Sequence, residues 1–387
     1  MVRTKTTGAW KAAGVAGVAA FALLAAAGCS TKSDSAEATS AAPVASSAAA
    51  SSAAPEASAP ASAPAATGGD VELADGAAVM LALVPGGAHP YFQPWNTEAP
   101  LLQSSLGLGG ATFNETGEWD QAKQNAVLDS LAAQGYNAFG IFGVSPTDIN
   151  TTFSDLKSKG FAVASLASCP AGDTNEADFC LSTDTEEAAY KAAQAAIAAM
   201  GGKGNLVHLT GNNVDSNTQR RIAGVEKAVA ETNGAVTLFQ TVTDIDKDLQ
   251  TAQKAVADLL AAKGSEINGI VTTAYNPAVA AAEGVTKAGL SIQVVAIDDD
   301  PTILAGIKDG SVAATVTQNP QGQADVGGWA LALLQSGQCT MTTPGVIVDS
   351  GSFVVTKDNV DTYDAERVAK AEELKTTFST ELLTCTG

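Results

Sequence analysis

Two doubly wound α/β lobes joined by a three-strand hinge, each a parallel sheet covered by helices, are the fold class this sequence predicts. Three observations carry the expectation. Short apolar runs recur along the chain from Ala78 onward, and most lack the polar–apolar alternation of a half-exposed strand. Strands of that kind are buried on both faces, as in a parallel sheet. The segments between them carry apolar residues at helical spacing, which makes the alternation βαβα. Roughly 300 residues of such alternation exceed what one sheet and one core hold comfortably, so two lobes follow.

In chain order the strand-like runs are 79–84, 137–142, 161–167, 205–209, 269–272, 294–297 and 312–317. Amphipathic segments at 119–134, 147–159, 186–200, 219–231, 247–262 and 277–288 read as the covering helices. Thr183 with Glu186 predicts a capping box at one helix start. A helix over 323–334 and a polar-faced helix over 361–384 close the body. The lobes are expected at 71–182 with 319–345, and at 183–318 with 346–356, followed by a C-terminal helical tail at 357–387. Crossovers between lobes are expected near 182–184, near Gln318 and near 346–350.

The first seventy residues read differently. Arg3, Lys5 and Lys11 make a basic start, followed by an uncharged apolar stretch at 12–27. That stretch is short for a membrane span, which needs about 20 residues, and it fits a secretory signal peptide over 1–28. Leu23-Leu24-Ala25-Ala26-Ala27-Gly28-Cys29 resembles the bacterial lipobox, in which the cysteine is lipidated; a plain signal peptide with Cys29 incidental is the alternative. Residues 29–70 are rich in Ser, Ala and Pro and have no apolar face to repay ordering, so they read as a linker. The expected location is extracytoplasmic, on the outer face of the bacterial cell membrane, held by the lipid anchor only.

With 21 Lys and Arg against 41 Asp and Glu, the net charge of −20 argues against nucleic acid as a partner. Five cysteines in 387 residues exclude a small disulfide scaffold. If Cys29 is lipidated, Cys169, Cys180, Cys339 and Cys385 remain as an even set in an oxidising compartment. Of the three possible pairings, Cys169–Cys180 and Cys339–Cys385 are favoured because each closes a moderate loop. No Cys-x-x-Cys occurs and the two histidines stand apart from the cysteines, so no metal site and no cofactor are expected.

In open α/β sheets the ligand lies beyond the carboxyl ends of the strands. The residues there are His89-Pro90-Tyr91-Phe92, Ala167-Ser168, Gly211-Asn212-Asn213, Ala274-Tyr275-Asn276, Asp298-Asp299-Asp300 and Gln318-Asn319. The set is polar and aromatic, without Lys or Arg, and suits the hydroxyl groups of a small neutral ligand.

These same segments resemble the type I periplasmic binding proteins, above all the ribose-binding branch of ABC-transporter solute receptors. Leu81-Ala82-Leu83-Val84 with His89-Pro90-Tyr91-Phe92 is similar to that branch's first strand and Asn-Pro-Phe-Phe loop. Arg221-Ile222-Ala223-Gly224-Val225 resembles its Arg-x-x-Gly-Phe helix, and Val294-Val295-Ala296-Ile297-Asp298 its Val-Val-Gly-Phe-Asp strand. The segment Gly310 to Pro320 resembles its Gly-x-Leu-x-Ala-Thr-x-x-Gln-x-Pro pattern. The resemblance implies that Asp298 accepts hydrogen bonds from two hydroxyls and that Gln318, at the hinge, bonds another. It places Tyr91 and Phe92 against the sugar ring and His89 in place of an asparagine contact. Ser168, Asn212, Gln219, Tyr275 and Asn276 complete the implied set. Where sugar binders carry Asp-Arg this chain has Ala167-Ser168, and Gln219 replaces a binding arginine; the ligand class is therefore a sugar, a polyol or a related molecule. A permease of an ABC transporter is the implied partner of a monomeric receptor.

An exported hydrolase would need a nucleophile elbow or a zinc motif, and neither Gly-x-Ser-x-Gly nor His-Glu-x-x-His occurs. Asp298 with His89 is a weak acid–base pair, so the chain is not expected to be an enzyme. A sensing lipoprotein of the same fold is the other alternative. His208 reads as a core histidine, Trp119 as packing, and Trp95 as balanced between packing and ligand. Gly107-Leu108-Gly109-Gly110 precedes a strand rather than opening a helix, which speaks against a phosphate loop. The run Asp244-Ile245-Asp246-Lys247-Asp248 starts like a calcium loop but has Leu249 where Gly is needed, and reads as acids at a helix N-terminus. Asp299 and Asp300 read as solvated or capping acids.

Overall fold

The unbroken apolar runs become the central strands of two sheets in the computed structural model, which describes residues 71–386. The segments expected to be signal peptide and linker, with Cys29, lie outside the described residues. The first lobe comprises β1 (Met80–Val84), α1 (Gln93–Leu106), β2 (Gly110–Phe113), α2 (Gln121–Ala133), β3 (Ala138–Ile141), α3 (Ile149–Ser158), β4 (Ala162–Leu166) and β5 (Phe179–Ser182). The second continues with α4 (Thr185–Ala199), β6 (Gly204–Leu209), α5 (Ser216–Ala230), β7 (Val236–Val242) and α6 (Leu249–Lys263). It closes with β8 (Gly269–Thr272), α7 (Tyr275–Ala288), β9 (Gln293–Ile297), α8 (Pro301–Asp309) and β10 (Ala314–Thr317). The chain then returns through α9 (Pro320–Gln335), β11 (Cys339–Met341), β12 (Val346–Asp349), β13 (Phe353–Val355), α10 (Asp364–Thr377) and β14 (Leu383–Cys385).

The first sheet runs β12-β5-β4-β3-β1-β2 and the second β13-β10-β9-β8-β6-β7. All pairings in them are parallel except β10 with β13. β1, β3 and β4 are almost wholly buried, as their lack of alternation requires. On one face α1 and α9 cover the first sheet, and Leu81, Leu83, Trp95 and Leu331 are fully excluded from water there. Truncating such a leucine to alanine costs about 2–5 kcal/mol. In the second lobe α4 and α5 touch closely because Gly224 has no side chain: a Cβ there would run into the carbonyl oxygen of Glu186.

Residues 346–356 divide between the lobes instead of joining the second. β12 pairs with β5 from Val346 opposite Phe179 to Asp349 opposite Ser182, while β13 pairs with β10. β12 is an edge strand with alternating exposure, so it offers no unbroken apolar run to read. The expected tail is likewise part of the first lobe. α10 gives way to one π-helical turn, and it buries Ala371 and Leu374 in the first core. Phe378 follows, its ring 5.1 Å from that of Phe179. β14 then pairs with β11, setting Cys339 opposite Cys385.

Both favoured disulfides are formed, Cys169–Cys180 and Cys339–Cys385. The capping box is not: Asp184 caps α4, accepting from the N–H groups of Glu186 and Glu187. Thr183 turns its hydroxyl toward Ser350 and Gly351 instead. The chain crosses between lobes at 183–184, 318–319 and 350–352, and a fourth time between β13 and α10. Asp299 fastens that fourth connection, accepting from Tyr363 Oη at 2.9 Å and Arg367 Nη1 at 2.8 Å.

Candidate ligand-binding cleft

A cleft of about 480 Å³ opens between the lobes at the carboxyl ends of both sheets. Its first-lobe wall is aromatic. After β1 the chain is extended at His89 and enters one 3₁₀ turn at Pro90–Phe92. His89 Nδ1 accepts the Tyr91 N–H at 3.2 Å, which leaves the ring proton of the neutral imidazole on Nε2. Phe92 packs edge-on to Tyr91, Trp95 and Phe142, with ring centres about 5 Å apart. Trp119 sits at φ 55° just before α2, held by its N–H to the carbonyl of Gly86. Its indole remains 42% exposed at the cleft wall, close to His89 and Phe142.

The second-lobe wall is polar. Asp298 follows β9 in a left-handed conformation, φ 61°, with its N–H on the carbonyl of Val316 at 3.0 Å. Gln318 Nε2 donates to its Oδ1 at 2.9 Å. Among the described residues no other hydrogen bond reaches that carboxylate. Burial pushes the Asp298 carboxyl up to about 6, against the opposing pull of the Gln318 hydrogen bond and the Arg221 charge. Tyr275 donates its hydroxyl to Asp300 at 3.0 Å, and burial together with the neighbouring acids raises its phenol. Asp300 also caps α8.

Arg221 reaches the cleft from α5. No ion pair or hydrogen bond to its side chain forms among the described residues, and its Nε is buried without a partner. A guanidinium thus faces the cleft with its donors free. Its charge lowers the carboxyls of Asp215 and Asp298, though burial holds both above their ordinary values.

Side chains also meet across the cleft. His89 Nε2 lies 3.5 Å from both Asp246 Oδ2 and Asn276 Nδ2, and Asn217 Nδ2 donates to the carbonyl of Ala167 at 3.2 Å. Asn276 holds Asp246 in place, its N–H and Nδ2 both donating to Oδ1.

Of the residues singled out in the sequence, His89, Tyr91, Phe92, Asn212, Tyr275, Asp298 and Gln318 line the cleft. Ser168 does not: the chain turns at Ala167, φ 63°, and Ser168 is buried with its carbonyl on Ser165 Oγ. Gln219 lies on the exposed side of α5, folded back onto Asn213. Positions two apart on a helix point different ways, so Arg221 enters the cleft where Gln219 cannot. Asn276 stands one layer behind, against Asp246.

The expectation of a wall without Lys or Arg is corrected by Arg221 and Lys247, and Trp119, read as packing, also lines the cleft. His208 is buried with Nε2 on Thr273 Oγ1 at 2.7 Å; desolvation and the Arg221 charge push it down to about 3, so it is neutral. Trp95 is wholly core. Gly107 ends α1 in the left-handed conformation, at a helix C-terminus and not at the N-terminus a phosphate loop would open.

Comparison with known proteins agrees with this architecture. A xylitol-binding protein of Mycolicibacterium smegmatis is 26% identical over 243 residues, covering 62% of this chain and 67% of the relative. A solute-binding protein of an ABC transporter from Burkholderia graminis, solved with D-arabinose, superposes with a TM-score of 0.67 at 22% identity, covering 75% of this chain and 99% of that one. One from Agrobacterium vitis, bound to α-D-tagatopyranose, gives 0.66 at 20% identity, covering 75% and 98%. These relatives are solute-binding proteins, not enzymes, and the structures share the type I fold seen here. Residues 81–339, more than half the chain, match the periplasmic binding protein domain, and the chain belongs to that family.

Proposed function

We propose that this chain is a lipid-anchored, extracytoplasmic solute-binding protein of an ABC transporter, taking a small neutral polyol or sugar into the interlobe cleft. The observation that carries the reading is the pairing of Asp298, an acceptor with one oxygen free, with Arg221, a donor without a protein partner, opposite an aromatic wall. Polyhydroxy ligands need that combination: acceptors and donors for hydroxyls, and aromatic faces for C–H patches. Tyr91, Phe92 and Trp119 would supply the faces, with His89, Asn212, Tyr275 and Gln318 as polar contacts. The xylitol-binding relative and the sugar-bound structures of the same fold support the ligand class.

In this reading residues 1–28 are removed, Cys29 carries the lipid, and 29–70 tether a monomeric receptor to the membrane face. The lobes close on the ligand by a hinge motion, and the closed form docks on a separate permease. Among the described residues no helix is long and apolar enough to cross a membrane.

Calorimetric titration of the full chain with xylitol, D-arabinose and other neutral polyols and sugars tests the reading. One of them should bind and raise the melting temperature by mass action. Asp298→Ala should weaken it by about a hundredfold, the scale of a buried charge-assisted hydrogen bond lost together with its partner's satisfaction. Binding that survives this substitution unchanged would remove Asp298 from the site, and turnover of the ligand would overturn the receptor reading.

A further inference from the structure

Among the buried residues of α9 one side chain is polar, Gln323 in its first turns. Both ends of its amide are used. Oε1 accepts the Tyr91 hydroxyl at 3.0 Å. Nε2 donates to Ser350 Oγ at 2.9 Å and reaches Thr183 Oγ1 at 3.5 Å. Thr183 and Ser350 are themselves 3.1 Å apart, and the Thr183 hydroxyl also donates to the carbonyl of Gly351 at 3.2 Å.

The positions of these groups in the chain give the cluster its meaning. Thr183 lies on the first crossover between the lobes and Ser350 on the third. Gln323 opens the helix that follows the second. Thr183, Ser350 and Gln323 are at most 3% exposed, so water does not compete for their hydrogen bonds. The fourth member, Tyr91, presents its ring to the cleft. A side chain such as methionine would fill the space of Gln323 without the cost of burying an amide, but it would uncouple Tyr91 from the Thr183–Ser350 pair.

We infer that Gln323 is a positioning residue that ties the ligand-facing ring of Tyr91 to the interlobe crossovers, so that the ring and the hinge move as one unit. The inference rests on the reading of the cleft as the ligand site, but its structural half stands without any ligand. A ligand seated against Tyr91 holds the phenol where Gln323 can accept from it. Gln323 in turn holds Thr183 and Ser350 in the closed arrangement.

Two measurements on the full chain test this. Hydrogen exchange of the ligand-free protein reads the Ser350 amide, which donates to the carbonyl of Ser182 at 3.1 Å. Gln323→Met should speed its exchange about tenfold, the scale of one buried hydrogen bond, and Tyr91→Phe should speed it in the same direction. Xylitol titration, or D-arabinose where xylitol does not bind, supplies the second readout. Each single variant should weaken binding about tenfold, and Gln323→Met combined with Tyr91→Phe should be no weaker than either alone, because the two belong to one network. Additive losses, about a hundredfold in the double variant, would mean that the two side chains act independently and would overturn the inference. So would unchanged Ser350 exchange in Gln323→Met. If neither compound binds the wild-type chain, the ligand assignment fails by itself, and the exchange result alone decides the inference.

Discussion

His89 and Asp246 face each other across the cleft, imidazole Nε2 on one lobe and carboxylate Oδ2 on the other, 3.5 Å apart. Each is held from behind, His89 by the Tyr91 N–H and Asp246 by Asn276. Both groups keep some contact with solvent, so the pair is a light latch and not a strong clamp. His89→Phe keeps the aromatic packing near Trp119 and removes the latch. Ligand affinity should then fall by up to about tenfold, on the order of 1 kcal/mol, as the closed arrangement becomes less favoured. Trp119 fluorescence of the ligand-free chain, 6.1 Å from the His89 ring, should shift with it. Unchanged affinity and emission would show that the pair does not latch.

The acidity of Asp298 gives a pH dependence with a definite sign. Its folded value, pushed up to about 6 by burial, lies above that of a carboxyl in the unfolded chain. The folded state therefore holds the proton more tightly, and this group's contribution to stability falls as pH rises from about 4 to about 6. The full change is on the order of 3 kcal/mol and should vanish in Asp298→Asn, as urea titrations between pH 4 and 7 would report. Ligand binding runs the other way. Hydroxyl donors need the carboxylate, so affinity should drop as pH falls through about 6.

Arg221 is expected to break the usual link between burial and stability. It has no protein partner to lose, so Arg221→Met should leave the melting temperature of the ligand-free chain unchanged or higher. Ligand affinity should nevertheless fall about tenfold or more, and the pH midpoint of binding should move above that of the wild type, because the charge lowering Asp298 is gone. A drop in melting temperature without a loss of affinity would assign Arg221 to the fold instead.

The two disulfides should differ in what they contribute. Cys339–Cys385 spans 46 residues and Cys169–Cys180 spans 11. Loop-closure entropy gives about 4 kcal/mol for the first and about 3 kcal/mol for the second. Paired Cys→Ser variants, compared by chemical denaturation, should rank in that order. The longer loop also fastens β14 and α10 to the first lobe, so its loss should expose the Phe378 region to proteolysis.

How much of this was legible before folding depended on where each signal sat. β1, β3, β4, β6, β8, β9 and β10 announce themselves because both faces are buried and the runs are nearly free of polar residues. α1 does not, since Pro94 and Pro100 interrupt its helical pattern, although the structure carries it through Pro100. β7 is an edge strand with mostly half-exposed residues, so its sequence gives no buried run. Asp248 caps α6, as the acid run implies, but without a signal for β7 nothing local marks Asp246 and Lys247 as part of the cleft wall. Asp298, Tyr275 and Asn212 are legible because the strands that precede them are. Arg221 stands in the Arg-x-x-Gly segment of α5, but which side of α5 meets the other lobe depends on how the two lobes face each other, and no local pattern states that.

The fourth crossing settles which lobe holds both ends of the described chain. Val71 joins the first lobe through its carbonyl, which accepts from Trp329 Nε1, and through its N–H on Ser379 Oγ. At the far end, β14 is paired and disulfide-linked to β11 of the same lobe. The second lobe carries neither end. Any pull through residues before Val71 is therefore borne by the first lobe as a stator, and the second is left as the free arm whose swing that pull does not load.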